Sequence, residues 1–343
     1  MRRIVWLCLL LTLCSYACQT NDRDGSVNVP GEPTSVSNES ESTNHPSALP
    51  IDYDQEITLE TVDGAYTLVF HTQDALDQWA ASAQNREWTG DAKAVRFDEG
   101  VKKIPAETFA HLPIEEVFFP ASLSEIDDYA FYRCDALEQI HWQEGIRRIG
   151  KYAFEGTAIK ELILPNGLAS IGSDAFSEMP NLQVVYLPDS VEDLSYAFIN
   201  CPKLERIRLS TNVEILHADF LTGASALREL TVPAGVQIID LDLAAHGGVQ
   251  RIIFEGSPLL ICRLNIKDYP ALKQIVFCSE PPAQDMELMT MIEDGGLGIY
   301  GSEQCTLYYL NSCTSSWAPN GETVWNGFPI VAIDSLETLP SIE

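Results

Sequence analysis

Nine cysteines, six histidines and fifty carboxylates are the side chains of this 343-residue sequence best suited to chemistry. Their spacing decides which chemistry is open to them. The histidines, at 45, 71, 111, 141, 217 and 246, never fall at metal-ligand spacing with one another or with a Cys pair. No C-x-x-C, H-E-x-x-H or EF-hand loop occurs, and no G-x-S-x-G nucleophile elbow. GLGIYG, 296–301, fits G-x-G-x-x-G, but a dinucleotide site needs that pattern between a strand and a helix. Here an acidic helix-like stretch precedes it and the strand-like CTLYY follows, so it reads as a flexible loop. The acids are scattered over faces and turns, which reads as a solvated surface, although sequence leaves a pair opposed in space open. No catalytic residue, metal ligand or cofactor is assigned, and the chain is read as non-enzymatic.

The cysteines divide by position. Cys134 and Cys201 stand three residues after a recurring Phe, where sister segments have Leu112, Thr157 or Met179, so they read as small buried hydrophobes. Stacked three turns apart they would lie ~14 Å from each other, beyond the reach of a disulfide. Cys305 and Cys313 are close enough to bond, and the thiol pair is equally open. Cys262 and Cys278 are poorer candidates.

Charge narrows the partners. The formal net charge is −29, with only 21 Lys and Arg. Phosphate backbones and anionic lipid surfaces need clustered cations, so nucleic acid is excluded and direct membrane docking is disfavoured. The N-terminus reads as an export signal: Arg2 and Arg3, the apolar IVWLCLLLTL of 4–13, then SYA at 15–17 as a cleavage site. That run falls short of the ~18–20 apolar residues of a spanning helix, and no later stretch reaches that length. Cleavage after Ala17 makes Cys18 the first mature residue, which resembles a bacterial lipoprotein signal. In that family the new N-terminal Cys is lipidated and anchors the protein to a membrane; plain secretion is the alternative. Residues 19–50, rich in Ser, Asn, Pro and Glu, have little to bury and read as a disordered tether of ~30 Å mean span.

Elements begin near Ile51. ITLETV, Asp63-Gly64 and AYTLVF predict a hairpin. TQDALDQWAASAQ predicts a helix capped by Thr72, with Leu76, Trp79, Ala80 and Ala83 on one face. This unit is suited to closing the open end of a larger array.

The array is written in a recurring aromatic: Phe109, Phe131, Phe154, Phe176, Phe198 and Phe220, then Leu243 and Ile266, at steps of 22 or 23 residues. Each unit has a short apolar strand at fixed offset, from Val95-Phe97 and Val117-Phe119 through Ile140-Trp142, Leu162-Leu164, Val185-Leu187, Ile207-Leu209, Leu230-Val232 and Ile252-Phe254 to Ile275-Phe277. Pro120, Pro165, Pro188 and Pro233 end four of them, because Pro cannot donate to a ladder. No unit can bury its own face, so the units must stack, and nine strands at parallel spacing predict one sheet ~40 Å long.

SEIDDYAFYRCDALEQIHW, RRIGKYAF and ASIGSDAFSEMPNLQVVYLPDSV resemble the BspA-like, treponemal-type leucine-rich repeat of bacterial surface and secreted proteins. The resemblance spans about 93–283. The later CTLYYLNSCTSSWAP…WNGFPIVAID is similar to the closing unit of such proteins. It implies an α/β leucine-rich-repeat solenoid with a parallel β-sheet on the concave face. Residues 1–17 would be signal, 18–50 tether, 51–92 a hairpin-helix cap, 93–283 repeats and 284–343 a β cap. The family implies binding to proteins or host surfaces, with no common catalytic residues.

Residues between the buried strand positions should point outward: Arg96, Phe118, His141, Ile163, Tyr186, Arg208, Thr231, Ile253 and Val276. One outward position earlier stand Glu116, Gln139, Glu161, Val184, Arg206, Glu229, Arg251 and Gln274. The first row is unusually apolar for solvent, and a contiguous stripe of that kind marks a contact surface. Cross-strand pairing that merely steadies the sheet is the alternative. The candidate ligand-binding residues are Arg96, Phe118, His141, Ile163, Tyr186 and Arg208. The expected partner is a protein; the alternative is a glycan stacked on Phe118, Tyr186 and His141.

Overall fold

The computed structural model describes residues 56–62, 65–82, 92–194, 196–217, 220–241, 248–258, 260–264, 271–281, 305–325 and 328–342. They lie in the second of two compact units, Pro46–Glu343. The expected signal, Cys18, the tether, the Asp63-Gly64 turn, Ala83, Leu243, Ile266 and the GLGIYG loop fall outside the described residues.

Alternating apolar residues produce short parallel strands whose inward members line up turn upon turn: Val95, Val117 and Ile140; Leu162, Val185 and Ile207; Leu230, Ile252, Ile275 and Leu307, all buried except the half-buried Ile140 and Ile207. The ladders begin one residue before the expected positions, as in Glu116–Phe118. The front row is also divided where one sheet was expected. Its first sheet runs Ile57–Val62, Ala65–Phe70, Ala92–Phe97, Glu116–Phe118, Gln139–His141. Glu161–Ile163, Val184–Tyr186 and Arg206–Arg208 form the second. Glu229–Val232, Arg251–Phe254, Gln274–Phe277, Thr306–Leu310, Phe328–Ile333 and Val324–Trp325 form the third. Three-residue strands hold each other by few bonds, so a small rotation between turns ends a ladder. The core does not break with them: one apolar cluster runs from Ile57 to Ile330.

The recurring Phe residues are its spine. Phe109, Phe131, Phe154, Phe176 and Phe198 are fully buried and stack face to face, with centroids 5.2, 5.2, 5.6 and 5.7 Å apart. A second set of short parallel pairs, including Lys103–Ile104, Glu125–Ile126, Arg148–Ile149 and Ser170–Ile171, forms another side of each turn. At Gly150 and Gly172 the chain passes so close to the previous turn that a Cβ would meet backbone nitrogen at 2.4 and 2.5 Å.

The back of each turn shows what the residues around Ala-Phe do. Two residues before the Phe, Glu107, Tyr129, Tyr152, Asp174 and Tyr196 are left-handed, with φ from 57 to 61°. Two residues after it, His111, Arg133, Gly156, Glu178 and Asn200 are left-handed too. For a side chain other than Gly this costs ~1–2 kcal/mol each. The conformation aims successive N–H groups at the next turn. Glu107, Phe109 and His111 donate to the carbonyls of Asp128, Ala130 and Tyr132, and the pattern repeats through Asn200 donating to Thr222.

The two ends are closed differently. At the first, an antiparallel hairpin pairs Ile57 with Phe70 and Val62 with Ala65, and its second strand joins Ala92–Phe97 in parallel. The helix Gln73–Ala81 starts where the Thr72 hydroxyl accepts from the Ala75 amide, and it buries Ala75, Leu76 and Trp79. Ala75 thus takes the place expected for Ala80, which is half-buried. Trp79 meets Phe70 edge-on at 5.5 Å. At the other end Trp317 closes the core against Phe277, Tyr309 and Trp325, and its indole N–H donates to the Ser279 carbonyl.

Candidate functional site

The front face changes character along its length. Near the hairpin its charges are already spent. Arg96 donates to Glu60 at 2.8 Å and lies 3.8 Å from Asp98. Phe118 stacks on His141, centroids 4.2 Å apart and planes 2° from parallel, while His141 Nε2 sits 2.6 Å from a Glu116 carboxylate oxygen.

The middle is open. Ile163 is 57% exposed and Tyr186 40%, and the two are direct register partners in a parallel ladder. Val184 lies buried beside them. Arg208, the next partner of Tyr186, donates to the Leu187 carbonyl and lies 3.3 Å from Asp189. Arg206 is exposed and forms no ion pair among the described residues. The structure therefore brings Ile163, Tyr186 and Arg208 together, pairs Phe118 with His141, and ties Arg96 to the hairpin.

The last third departs from expectation. Ile253 and Val276 do occupy outward positions, yet they are buried together with Tyr308 and Ile333. The segment from Ser335 to Ile342 lies over them, with Leu339 packed on the cluster. Arg251 and Gln274 both donate to the Pro340 carbonyl, at 2.6 and 3.2 Å, and Lys273 donates to the Ile342 carbonyl at 3.1 Å. Chain return, which strand alternation does not encode, takes these positions out of solvent.

A feature of the back was missed in the sequence. Tyr129 stacks on Tyr152 at 4.8 Å and meets Tyr132 edge-on, beside Arg133 and Glu155. Burial pushes the Glu155 carboxyl up to about 7, against the opposing pull of Arg133. Burial also raises Asp174. The legible signal was an acid directly after the repeat Phe, a position filled in other turns by Ala110, Tyr132, Ser177 and Ile199.

Cys134 and Cys201 are buried free thiols whose sulfurs lie 3.0 and 3.3 Å from the carbonyls of Phe109 and Phe176 in earlier turns. Burial pushes the Cys201 thiol up to about 12. Cys305 and Cys313, for which a bond was left open, are both free. Among the described residues no group of three His, Cys, Asp or Glu could hold a metal ion, and no helix is long and apolar enough to cross a membrane.

A family model described as the BspA type leucine-rich repeat region matches in six copies, over residues 87–195 and 147–258. Among solved structures, a Treponema pallidum leucine-rich-repeat protein is 23% identical, with 58% of this chain and 83% of that chain covered and a TM-score of 0.40. A leucine-rich-repeat protein from Bacteroides ovatus is 19% identical, with 78% of each chain covered and a TM-score of 0.38. The pneumococcal vaccine antigen PcpA is 18% identical, with 71% of this chain and 77% of that one covered and a TM-score of 0.31. No curated protein matches.

Proposed function

The chain belongs to the BspA-type leucine-rich-repeat family, and we propose that it is a non-catalytic binding protein that holds a protein partner on the middle of its front face. The observation that carries this is the pair Ile163 and Tyr186, adjacent on a rigid ladder and open to solvent, with Arg206 and Arg208 one strand on. An apolar anchor beside directional donors is the anatomy of an interface hot spot. The net charge of −29 favours a partner that is basic or neutral overall.

The glycan alternative has less support. Phe118 and His141 are stacked on one another, and His141 is held by Glu116, which leaves Tyr186 as the open ring.

The test is capture of partners from extracellular matrix and bacterial envelope by the full chain, followed by affinity measurement on each protein recovered. Tyr186→Ala should weaken binding by ~1–3 kcal/mol with little change in melting temperature. Lys151→Ala, on the turn-rich side, should do little. Affinity unchanged by truncating Tyr186, Phe118 and Ile163 together would move the site elsewhere.

The reading includes export, with the body held at a bacterial surface by lipid on Cys18. The support is the lipoprotein-like signal and the polar stretch after it. Wild-type protein should partition into detergent and Cys18→Ser should not; equal partitioning would mean plain secretion.

A further inference from the structure

The last third of the front face already holds an extended segment, and that segment shows what the face can take. After the short turn Leu336–Thr338, the chain inserts one side chain, Leu339, onto Ile253, Val276, Tyr308 and Ile333. The strap is also held there through the main-chain carbonyls of Pro340 and Ile342. Leu336, Glu337, Thr338, Pro340 and Ser341 stay exposed.

The receiving side is built more firmly than the strap. Arg251 is 13% exposed, and its guanidinium uses all three nitrogens: on Gln274 at 2.6 Å, on Glu229 at 2.8 Å and on the Pro340 carbonyl. The Gln274 side chain is buried, its oxygen held by Arg251 and its nitrogen aimed at the same carbonyl. Two donors fixed by side chains of the sheet therefore converge on one backbone oxygen, next to an apolar floor. Carbonyl oxygens are common to all peptides, so the site reads an extended backbone and one apolar side chain. Proline after the anchor suits it twice: it holds the residue before it extended and it carries no N–H that would go unsatisfied.

We propose that this end of the face is a peptide-docking groove, filled in cis by residues 335–342, and that an extended Leu-Pro-bearing peptide fills it in trans when the strap lifts. The groove is separate from the Ile163–Tyr186 patch, so the two assignments stand or fall apart.

A fluorescent peptide of residues 335–343, SLETLPSIE, is titrated against the full chain. In the wild type the tethered strap competes at high effective concentration. Leu339→Asp in the protein should weaken the strap and raise affinity for the peptide by about tenfold or more. Alanine for the second leucine of the peptide should abolish that binding, and Arg251→Ala combined with Leu339→Asp should reduce it. No binding to a Leu339→Asp protein with wild-type circular dichroism, or equal binding of the alanine peptide, overturns the proposal. Should Leu339→Asp disturb the fold, hydrogen exchange on the wild type decides. Strap amides exchanging faster than Arg251–Phe254 and Gln274–Phe277, and faster still with excess peptide, support the groove. Exchange that is uniform and indifferent to peptide overturns it.

Discussion

Ile163 and Ile253 are the same residue at the same place in the repeat, yet one is 57% exposed and the other 6%. Both follow a buried strand residue, Leu162 and Ile252, and both point away from the core. What separates them is the chain that returns over Ile253 and not over Ile163. Strand alternation fixes the direction of a side chain; whether that direction ends in water depends on contacts far away in sequence. The distinction matters for function, because only the uncovered region can meet a partner without first displacing something.

The largest effect should come from the stack that both regions share. Phe154→Ala and Phe176→Ala each empty a site with aromatic neighbours on both sides, and each should cost ~3–5 kcal/mol by denaturant unfolding. Losses under about 1 kcal/mol at both would mean the stack does not support the face at all.

Next comes the pair itself. Ile253→Ala removes a side chain from a closed cluster and should cost ~2 kcal/mol, whereas Ile163→Ala removes an exposed one and should stay within about 0.5 kcal/mol. Equal costs, measured by the same unfolding, would erase the contrast between the two regions.

The smallest effect should come from a buried carboxyl on the back, Glu155. The unfolded chain gives up the Glu155 proton in the ordinary carboxylate range, while the native state keeps it up to about 7. Across that window the native state binds more protons, so stability should fall as pH rises through it and level off above. Glu155→Gln should melt close to wild type near the bottom of the window and above it at pH 8. A wild type as stable at pH 8 as at the lower pH would mean that the carboxyl is not held in this way.

The repeat was legible because one large residue, Phe, returns at a fixed interval and has one way to pack. The outward row was legible from period two alone. The strap was not: in Ser335 to Ile342 the apolar Leu336, Leu339 and Ile342 recur every third residue, which matches neither the strand alternation nor the repeat, and its hydrogen-bond partners stand 66 to 89 positions away. The left-handed flanks of the Phe were hidden for another reason. Tyr129, Tyr152 and Tyr196 carry none of the Gly, Asn, Asp or His signal that marks such backbone, and only Gly156, Asn200, Asp174 and His111 hint at it. Their conformation is imposed by hydrogen bonds between turns, which override local preference. Of the candidate residues, Arg96, Phe118 and His141 lie in the front-face strands Ala92–Phe97, Glu116–Phe118 and Gln139–His141. Their pairing with Glu60, with one another and with Glu116 depends on cross-strand neighbours that a linear reading does not rank.

The back ladder gives the stack a direction. The N–H groups beside each Phe, from Glu107 through Asn200, point toward the following turn and meet carbonyls that point back. Elsewhere in the turn the sense is reversed, with Ser124, Gly150 and Gly172 donating to the carbonyls of Lys102, Ile126 and Ile149 in the turn before. A cut through the array would thus leave a different pattern of donors and acceptors on each surface, each the complement of its opposite and a mismatch for its own kind. Two such bodies could be joined tail to head but not head to head, the geometry that propagates into open filaments instead of closed pairs. Trp79 with its hairpin and Trp317 with its short antiparallel strand are, in that light, chain terminators of a polymerisation the repeat would otherwise permit.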